Sequence, residues 1–258
     1  MNPHIKQARE YEEQELYQEA LAEYGKAVSQ EPDNLEALLF RGGLLAELGQ
    51  YASAAEDYSR ALAINPYAAA SYNNRGDVFA SLGRHEEAIA DFTEALYLSP
   101  GDADSFYNRG LSLAELGRME EALKDLDSAL GLDPRHGGAY NNRGLIFVAM
   151  GDYLAAVADF SKALEVRSGF ACSYDHRGLA YEKLGDMTRA ISDYTEALAI
   201  APQNVDSLYH RAAAYMVIGD AANALADFKS VLKAANPRHP FAELARQGLR
   251  ELGEDLQI

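Results

Sequence analysis

The chain has 258 residues, 48% of them hydrophobic, which is enough to bury one large core or two modest ones. Its 23 basic and 40 acidic residues give a formal net charge of −17, which argues against a nucleic-acid partner, because phosphate binding needs clustered Lys and Arg. With one cysteine (Cys172), no apolar signal core at the N-terminus and no apolar run near the roughly 18 residues of a membrane helix, the sequence predicts a cytoplasmic protein without a membrane partner.

A unit of 34 residues recurs along the sequence. A small residue marks its first half at Ala8, Gly42, Gly76, Gly110, Gly144, Gly178 and Ala212. Another marks its second half at Ala20, Ala54, Ala88, Ala122, Ala156, Ala190 and Ala224. This frame predicts repeats 1 to 7 at residues 1–34, 35–68, 69–102, 103–136, 137–170, 171–204 and 205–238, followed by a C-terminal capping helix and tail at 239–258.

Each repeat carries the signals of two helices. Apolar residues recur at helical spacing near positions 2–14 and again near positions 18–30 of the repeat. Glycine, which suits the left-handed residue after a helix, separates the two helices at Gly49, Gly83, Gly117, Gly151, Gly185 and Gly219. Proline, which cannot continue a helix, closes most repeats at Pro32, Pro66, Pro100, Pro134 and Pro202. We therefore expect fourteen repeat helices and roughly 70–75% of the residues in helix, about twice the globular average.

The last predicted element runs from Pro240 to Leu252. Its apolar residues form one stripe, with charged residues opposite: Phe241, Leu244, Ala245, Gly248, Leu249 and Leu252. Because a stack of repeats needs a terminal element with a polar outer face, we expect this helix to cap the last repeat.

The spacing and the recurring aromatic positions, filled for example by Tyr72, Phe106, Tyr140 and Tyr174, resemble the tetratricopeptide repeat, a pair of antiparallel helices per 34 residues. The resemblance implies an all-α fold, a right-handed α-solenoid superhelix of antiparallel helix pairs. It also implies a non-enzymatic scaffold that binds an extended segment of a partner protein in its concave groove. The sequence contains no GxSxG, GxxxxGK or GxGxxG motif, and we expect no catalytic residue and no cofactor.

An arginine and an aspartate recur together in six repeats. The arginines are Arg41, Arg75, Arg109, Arg143, Arg177 and Arg211, and the aspartates are Asp57, Asp91, Asp125, Asp159, Asp193 and Asp227. Repeat 1 lacks both, with Gln7 and Glu23 instead. This joint occurrence predicts structural ion pairs within each repeat, because arginine and carboxylate suit bidentate bonding. The register that pairs each arginine with the acid of the preceding repeat stays open.

In the resembled family, the first helix of each repeat lines the concave groove. The sequence has at those positions Asn74, Asn108, Asn142, His176 and His210, together with Tyr107, Leu111, Leu145, Leu179 and Tyr209. The three asparagines resemble the asparagine ladder of the O-GlcNAc transferase superhelix, and a carboxamide can both donate to and accept from a peptide backbone. The alternative is that they only cap or solvate a helix face. Acidic residues nearby, such as Asp77, Asp104 and Glu115, favour a basic peptide ligand.

The sequence also bears on three functions other than binding of an extended peptide. The carboxylate clamp of chaperone-tail receptors needs Lys, Asn and Lys where the sequence has Ile5, Phe40 and Ala70, respectively, so a receptor of that type is not expected. Self-association through repeat faces or through the ends of the solenoid is the main alternative. A metal site in repeats 6–7 is a minor one, formed from the acceptable ligand types Cys172, Asp175, His176, Asp206 and His210.

Overall fold

The computed structural model describes residues 2–166, 171–236 and 238–254. Of these residues 80% are helical and none lies in a strand, which confirms the all-α prediction. The chain divides into two compact units, Met1–Pro134 (the first unit) and Arg135–Ile258 (the second unit). No helix in the described part of the chain combines the length and the apolarity that spanning a bilayer requires.

The first unit consists of four antiparallel helix pairs, in which the first helix of each repeat is helix A and the second is helix B. Its helices are α1 (Pro3–Glu12), α2 (Tyr17–Gln30), α3 (Leu35–Glu47), α4 (Tyr51–Ile64), α5 (Ala69–Ser81), α6 (His85–Leu98), α7 (Ala103–Glu115) and α8 (Met119–Leu132).

The second unit has three further pairs and a terminal helix. Its helices are α9 (Gly137–Met150), α10 (Tyr153–Val166), α11 (Ala171–Lys183), α12 (Met187–Ile200), α13 (Val205–Val217), α14 (Ala221–Ala234) and α15 (Pro240–Glu251). Fifteen helices are thus described, as the sequence predicted. The last part of the predicted tail, 255–258, lies outside the described residues.

The turns inside the repeats follow the glycine signal. All six predicted glycines have a positive φ of 72–81°, the left-handed conformation that costs glycine little. Most A helices begin at position 1 of the repeat and most B helices at position 17, one residue earlier than predicted. Most A helices also end one residue earlier than predicted, so they are shifted and not lengthened, whereas each B helix gains one residue and raises the helical share.

Small residues set the distance between the two helices of a pair. A Cβ atom built on Gly76 would lie 2.7 Å from the Phe92 ring, and Gly144 is equally close to Phe160. The alanines at position 20, such as Ala88 and Ala122, are fully buried. The core therefore lies between helices A and B of each repeat, where aromatic rings fill the space that the small residues leave.

Helix α15 continues the stack of the second unit and contacts α14 and α13. Ala245, Gly248 and Leu249 of its apolar stripe are buried, as predicted. Leu244 differs, because 41% of its surface is exposed. Its position on the helix points it toward the side of α13 rather than into the core between α14 and α15.

Candidate functional site

The A helices form the inner layer of each unit. Within the first unit α5 contacts both α3 and α7, and within the second α11 contacts both α9 and α13. Successive B helices make no comparable contact in the described part of the chain. The A helices are therefore closer together than the B helices, and their outward faces line the concave side of each unit.

In the first unit this side carries both amide and apolar groups. Asn74 is exposed and lies beside the Tyr58 hydroxyl, whereas Asn108 is half-buried and makes no hydrogen bond to the described residues. Tyr107 and Leu111 are also half-buried. Asn108 thus has donors and an acceptor that no described residue uses.

The neighbouring asparagine has a different role. Asn73 Oδ1 accepts a hydrogen bond from the buried Ser105 hydroxyl of the next repeat, at 3.0 Å. Two adjacent asparagines on α5 are therefore divided between the seam of two repeats and the concave surface.

The concave side of the first unit is electrostatically negative around Asp77. Burial within the groove raises the pKa of the Asp77 carboxyl to about 6, and the negative charge of Asp104 adds to the rise. The Asp77 side chain is accessible to water, yet protein atoms surround it. A cation placed here would lower the free energy of the ionised carboxylate.

In the second unit, the equivalent surface begins with Asn142 (half-buried) and Leu145 (36% exposed). Leu179 is half-buried one repeat later. His176 lies with its ring 5.5 Å from that of Phe160, and burial lowers the pKa of its imidazole, so it is neutral near pH 7.

His210 and Tyr209 close the concave surface of the second unit. His210 Nδ1 is 3.2 Å from Glu182 Oε2, and the Tyr194 hydroxyl donates to the same oxygen at 3.1 Å. Burial alone would raise the pKa of the Glu182 carboxyl, but its interactions with His210 hold it below its ordinary value. Tyr209 stacks on Phe241 of α15, with ring centroids 4.3 Å apart.

Six arginine–aspartate pairs occupy the opposite side of helix A. Each arginine donates from Nε and Nη2 to both oxygens of the aspartate sixteen residues later, at 2.6–2.9 Å. The aspartates are only 2–7% exposed. The pairs therefore lie within their own repeats, and the competing register is not the one found.

Two sets of contacts between repeats were not predicted from the sequence. Arginine Nη1 also donates to a hydroxyl of the preceding repeat, in the pairs Arg75–Ser59, Arg109–Thr93, Arg177–Ser161 and Arg211–Thr195. Buried serines bond to the preceding A helix in the pairs Ser105–Asn73, Ser173–Asn141 and Ser207–Asp175. The sequence does contain a pattern that could have predicted them, since serine recurs at position 3 of the repeat and Ser or Thr recurs at position 25.

The metal alternative has no support in the structure. Among the described residues no three His, Cys, Asp or Glu side chains are placed to hold one ion. Asp175 accepts from Ser207 at 2.6 Å, His210 bonds to Glu182, and Cys172 is exposed. Asp175 and His210 are therefore used in separate contacts.

Comparisons with known proteins identify the repeats. Family models described as tetratricopeptide repeat match residues 5–69, 47–103, 103–136, 137–169 and 171–204. No curated protein sequence matches the chain.

Solved structures show the same fold. PilF of Pseudomonas aeruginosa has a TM-score of 0.73 and 22% identity, with 83% of this chain and 96% of that chain covered. PilW, a type IV pilus biogenesis factor, has a TM-score of 0.72 and 24% identity, with 80% and 96% covered. YrrB, described as having an unusual peptide-binding site, has a TM-score of 0.59 and 24% identity, with 72% and 96% covered.

Proposed function

Because the chain belongs to the tetratricopeptide repeat family, we propose that it is a non-enzymatic scaffold that holds an extended segment of a partner protein on the concave side of its A helices. The observation that carries the proposal is Asn108, which is half-buried on α7 near the half-buried Tyr107 and Leu111 and has no hydrogen-bond partner in the described chain. A polar group in such a place gains most from a partner that supplies hydrogen bonds. An extended backbone supplies both donors and acceptors, whatever its sequence.

The spacing of the repeats supports the same ligand. Stacked helices lie roughly 8–10 Å apart, which approximates three residues of extended chain at about 3.3 Å each. In the first unit a strand could therefore meet Asn74 and Asn108 at every third residue, with Leu111 and Tyr107 contacting its side chains. Asn142 and Leu145 offer the same pair of group types in the second unit.

Charge favours a basic ligand. The net charge is −17, and the Asp77 carboxylate carries an unfavourable energy that a cation would relieve. We expect binding to weaken as salt is added, because exposed charges are screened beyond roughly 10 Å at 0.1 M ionic strength. The hydrogen bonds of the amides would be much less sensitive to salt.

A random peptide library displayed on phage, selected against the full chain, tests this function. We expect the triple variant Asn74→Ala, Asn108→Ala, Asn142→Ala to bind the selected peptides about one to three orders of magnitude more weakly, from roughly 0.5–1.5 kcal/mol per hydrogen bond. The control variant Gln18→Ala, Gln50→Ala, Gln203→Ala removes three exposed amides elsewhere and should bind normally. Equal binding by the triple variant and the wild type would refute the groove as the site.

Self-association is the second candidate function, and one observation favours it. The edge of the second unit that carries the turns between helices A and B exposes five large apolar side chains: Met150 at 49%, Leu154 at 71%, Leu184 at 40%, Val217 at 68% and Ile218 at 51%. Contiguous exposed apolar surface commonly marks a protein–protein contact.

A further inference from the structure

A cavity of about 200 Å³ lies between α13 and α15, within the second unit. Tyr209, Ala213 and Met216 line it from α13, at groove positions 5, 9 and 12 of their repeat. Leu244 and Glu251 line it from α15. The cavity is smaller than the roughly 300–1,000 Å³ of pockets that hold whole small molecules, so its size suits a single side chain.

Apolar side chains form part of the cavity wall, beside Gln247 and Glu251, and they are firmly held. The Tyr209 ring is stacked on Phe241 with an angle of 8° between the planes. Phe228, 3% exposed, packs so closely on Gly248 that a Cβ atom there would lie 2.5 Å from its ring. Leu244 keeps 41% of its surface exposed at this cavity although it belongs to the apolar stripe of α15. These surfaces suit the methylene stem of a long side chain.

Two carboxylates lie near the Tyr209 side of the cavity. Glu251 lines the cavity itself, and Glu182 lies 3.2 Å from His210, whose ring centroid is 5.6 Å from that of Tyr209. Burial raises the pKa of the Tyr209 phenol, and the negative charges of these two acids raise it further. Both hydrogen bonds to Glu182 end on Oε2, which leaves Oε1 without a partner among the described residues. No Lys or Arg is among the residues that line the cavity.

We propose that this cavity is the subsite for one lysine or arginine side chain of the bound segment, with the stem against Tyr209 and Leu244 and the cationic head toward Glu182 and Glu251. The subsite rests on the proposed function, because the side chain must arrive on a peptide. An uncharged apolar side chain would fill the walls but supply no cation to Glu251 or to the Oε1 atom of Glu182. A basic side chain places its methylene groups against the apolar walls and its cation beside the carboxylates.

The test begins with the phage library selected against the full chain. We expect the selected peptides to share one Lys or Arg. Glu251→Gln should weaken binding of such a peptide about five- to tenfold, because it removes one charge from an accessible pair but keeps the bond to Gln247 possible. Glu243→Gln is the matched control, since Glu243 is on the same helix but pairs with Arg246 and Arg250 outside the cavity.

A neutral analogue of the peptide measures how much the positive charge of its Lys or Arg contributes to binding. When citrulline replaces the arginine, or norleucine the lysine, the loss caused by Glu251→Gln should shrink to less than about twofold. Leu244→Lys, which places a competing cation at the exposed mouth, should also weaken binding of the basic peptide.

The outcomes separate the subsite from the wider function. Selected peptides that depend on the groove asparagines but not on Glu251, or that lack a basic residue, would overturn the subsite alone. An equal effect of Glu251→Gln on basic and neutral peptides would overturn it as well. A selection that enriches no peptide would overturn the proposed function and the subsite with it.

Discussion

The guanidinium of Arg75 holds the buried carboxylate of Asp91 by two hydrogen bonds, from Nε to Oδ2 at 2.7 Å and from Nη2 to Oδ1 at 2.8 Å. Its third donor, Nη1, reaches Ser59 of the preceding repeat at 3.0 Å. One side chain therefore ties α5 to α6 and also to α4. Arg109, Arg177 and Arg211 make the same kind of link to the preceding repeat.

Arg75→Ala should lower the free energy of unfolding by about 2–4 kcal/mol, because Asp91 is 5% exposed and would stay behind as a buried, unpaired charge. Urea unfolding followed by circular dichroism measures the loss. Arg84→Ala is the control: it removes an arginine of the same repeat whose ion pair with Glu87 is exposed, and it should change stability little.

A loss below about 0.5 kcal/mol for Arg75→Ala would mean that solvent screens the pair. The paired change Arg75→Met, Asp91→Leu provides a second check. It should recover much of the loss, because apolar residues of similar size often replace a buried ion pair without cost.

Asn141→Ala should destabilise the chain by about 1–3 kcal/mol, because it removes the acceptor of the fully buried Ser173 hydroxyl, 2.9 Å away. Asn108→Ala, the matched change on another A helix, should leave the melting temperature nearly unchanged, since Asn108 bonds to no described residue. Thermal unfolding of both variants measures the difference. Equal melting temperatures would show that the seam hydrogen bond contributes nothing.

Asp77→Asn should stabilise the chain at neutral pH. Folding raises the pKa of this carboxyl from 3.8 to about 6, so between these values the folded chain binds more protons than the unfolded chain. Stability is therefore lost as the pH rises from about 4 to about 6, and the loss persists above that range.

Melting temperatures across pH check the sign. The variant should melt above the wild type near pH 7.5, and the difference should vanish only well below pH 3.8, where the Asp77 carboxyl is protonated in both the folded and the unfolded chain. Asp33→Asn, at an exposed turn of the same unit, is the control. A difference in melting temperature that grows toward acid pH would contradict the raised pKa of Asp77.

Leu154→Glu with Val217→Glu should reduce any oligomer to monomer if the apolar edge mediates self-association. The variant should fold, because the same repeat positions hold Glu86 and Glu115 in the first unit. Light scattering over a range of concentrations measures the mass. A wild-type chain that stays monomeric at every concentration would remove the second candidate function.

The regular part of the fold could be predicted because each repeat has the same residue types at the same positions. Glycine at Gly83 and the joint presence of Arg75 and Asp91 can each be read from one sequence, since repeats act as internal comparisons. The cavity beside Leu244 could not be predicted, because α15 follows no repeat pattern and its register against α13 depends on packing. The seam between Asn141 and Ser173 was missed because two adjacent asparagines look alike in sequence.

Among the described residues, the helices of each unit make their main contacts with neighbours one or two places away along the chain. The hydrogen bonds of the buried serines likewise join residues 32 positions apart, in neighbouring repeats. A repeat can therefore fold before it contacts any segment that is distant in the sequence. Chains in which most contacts are local in sequence fold fast. During synthesis a nascent chain can complete each repeat once the next helix has left the ribosome, so little more than one repeat's apolar surface is unprotected at any moment.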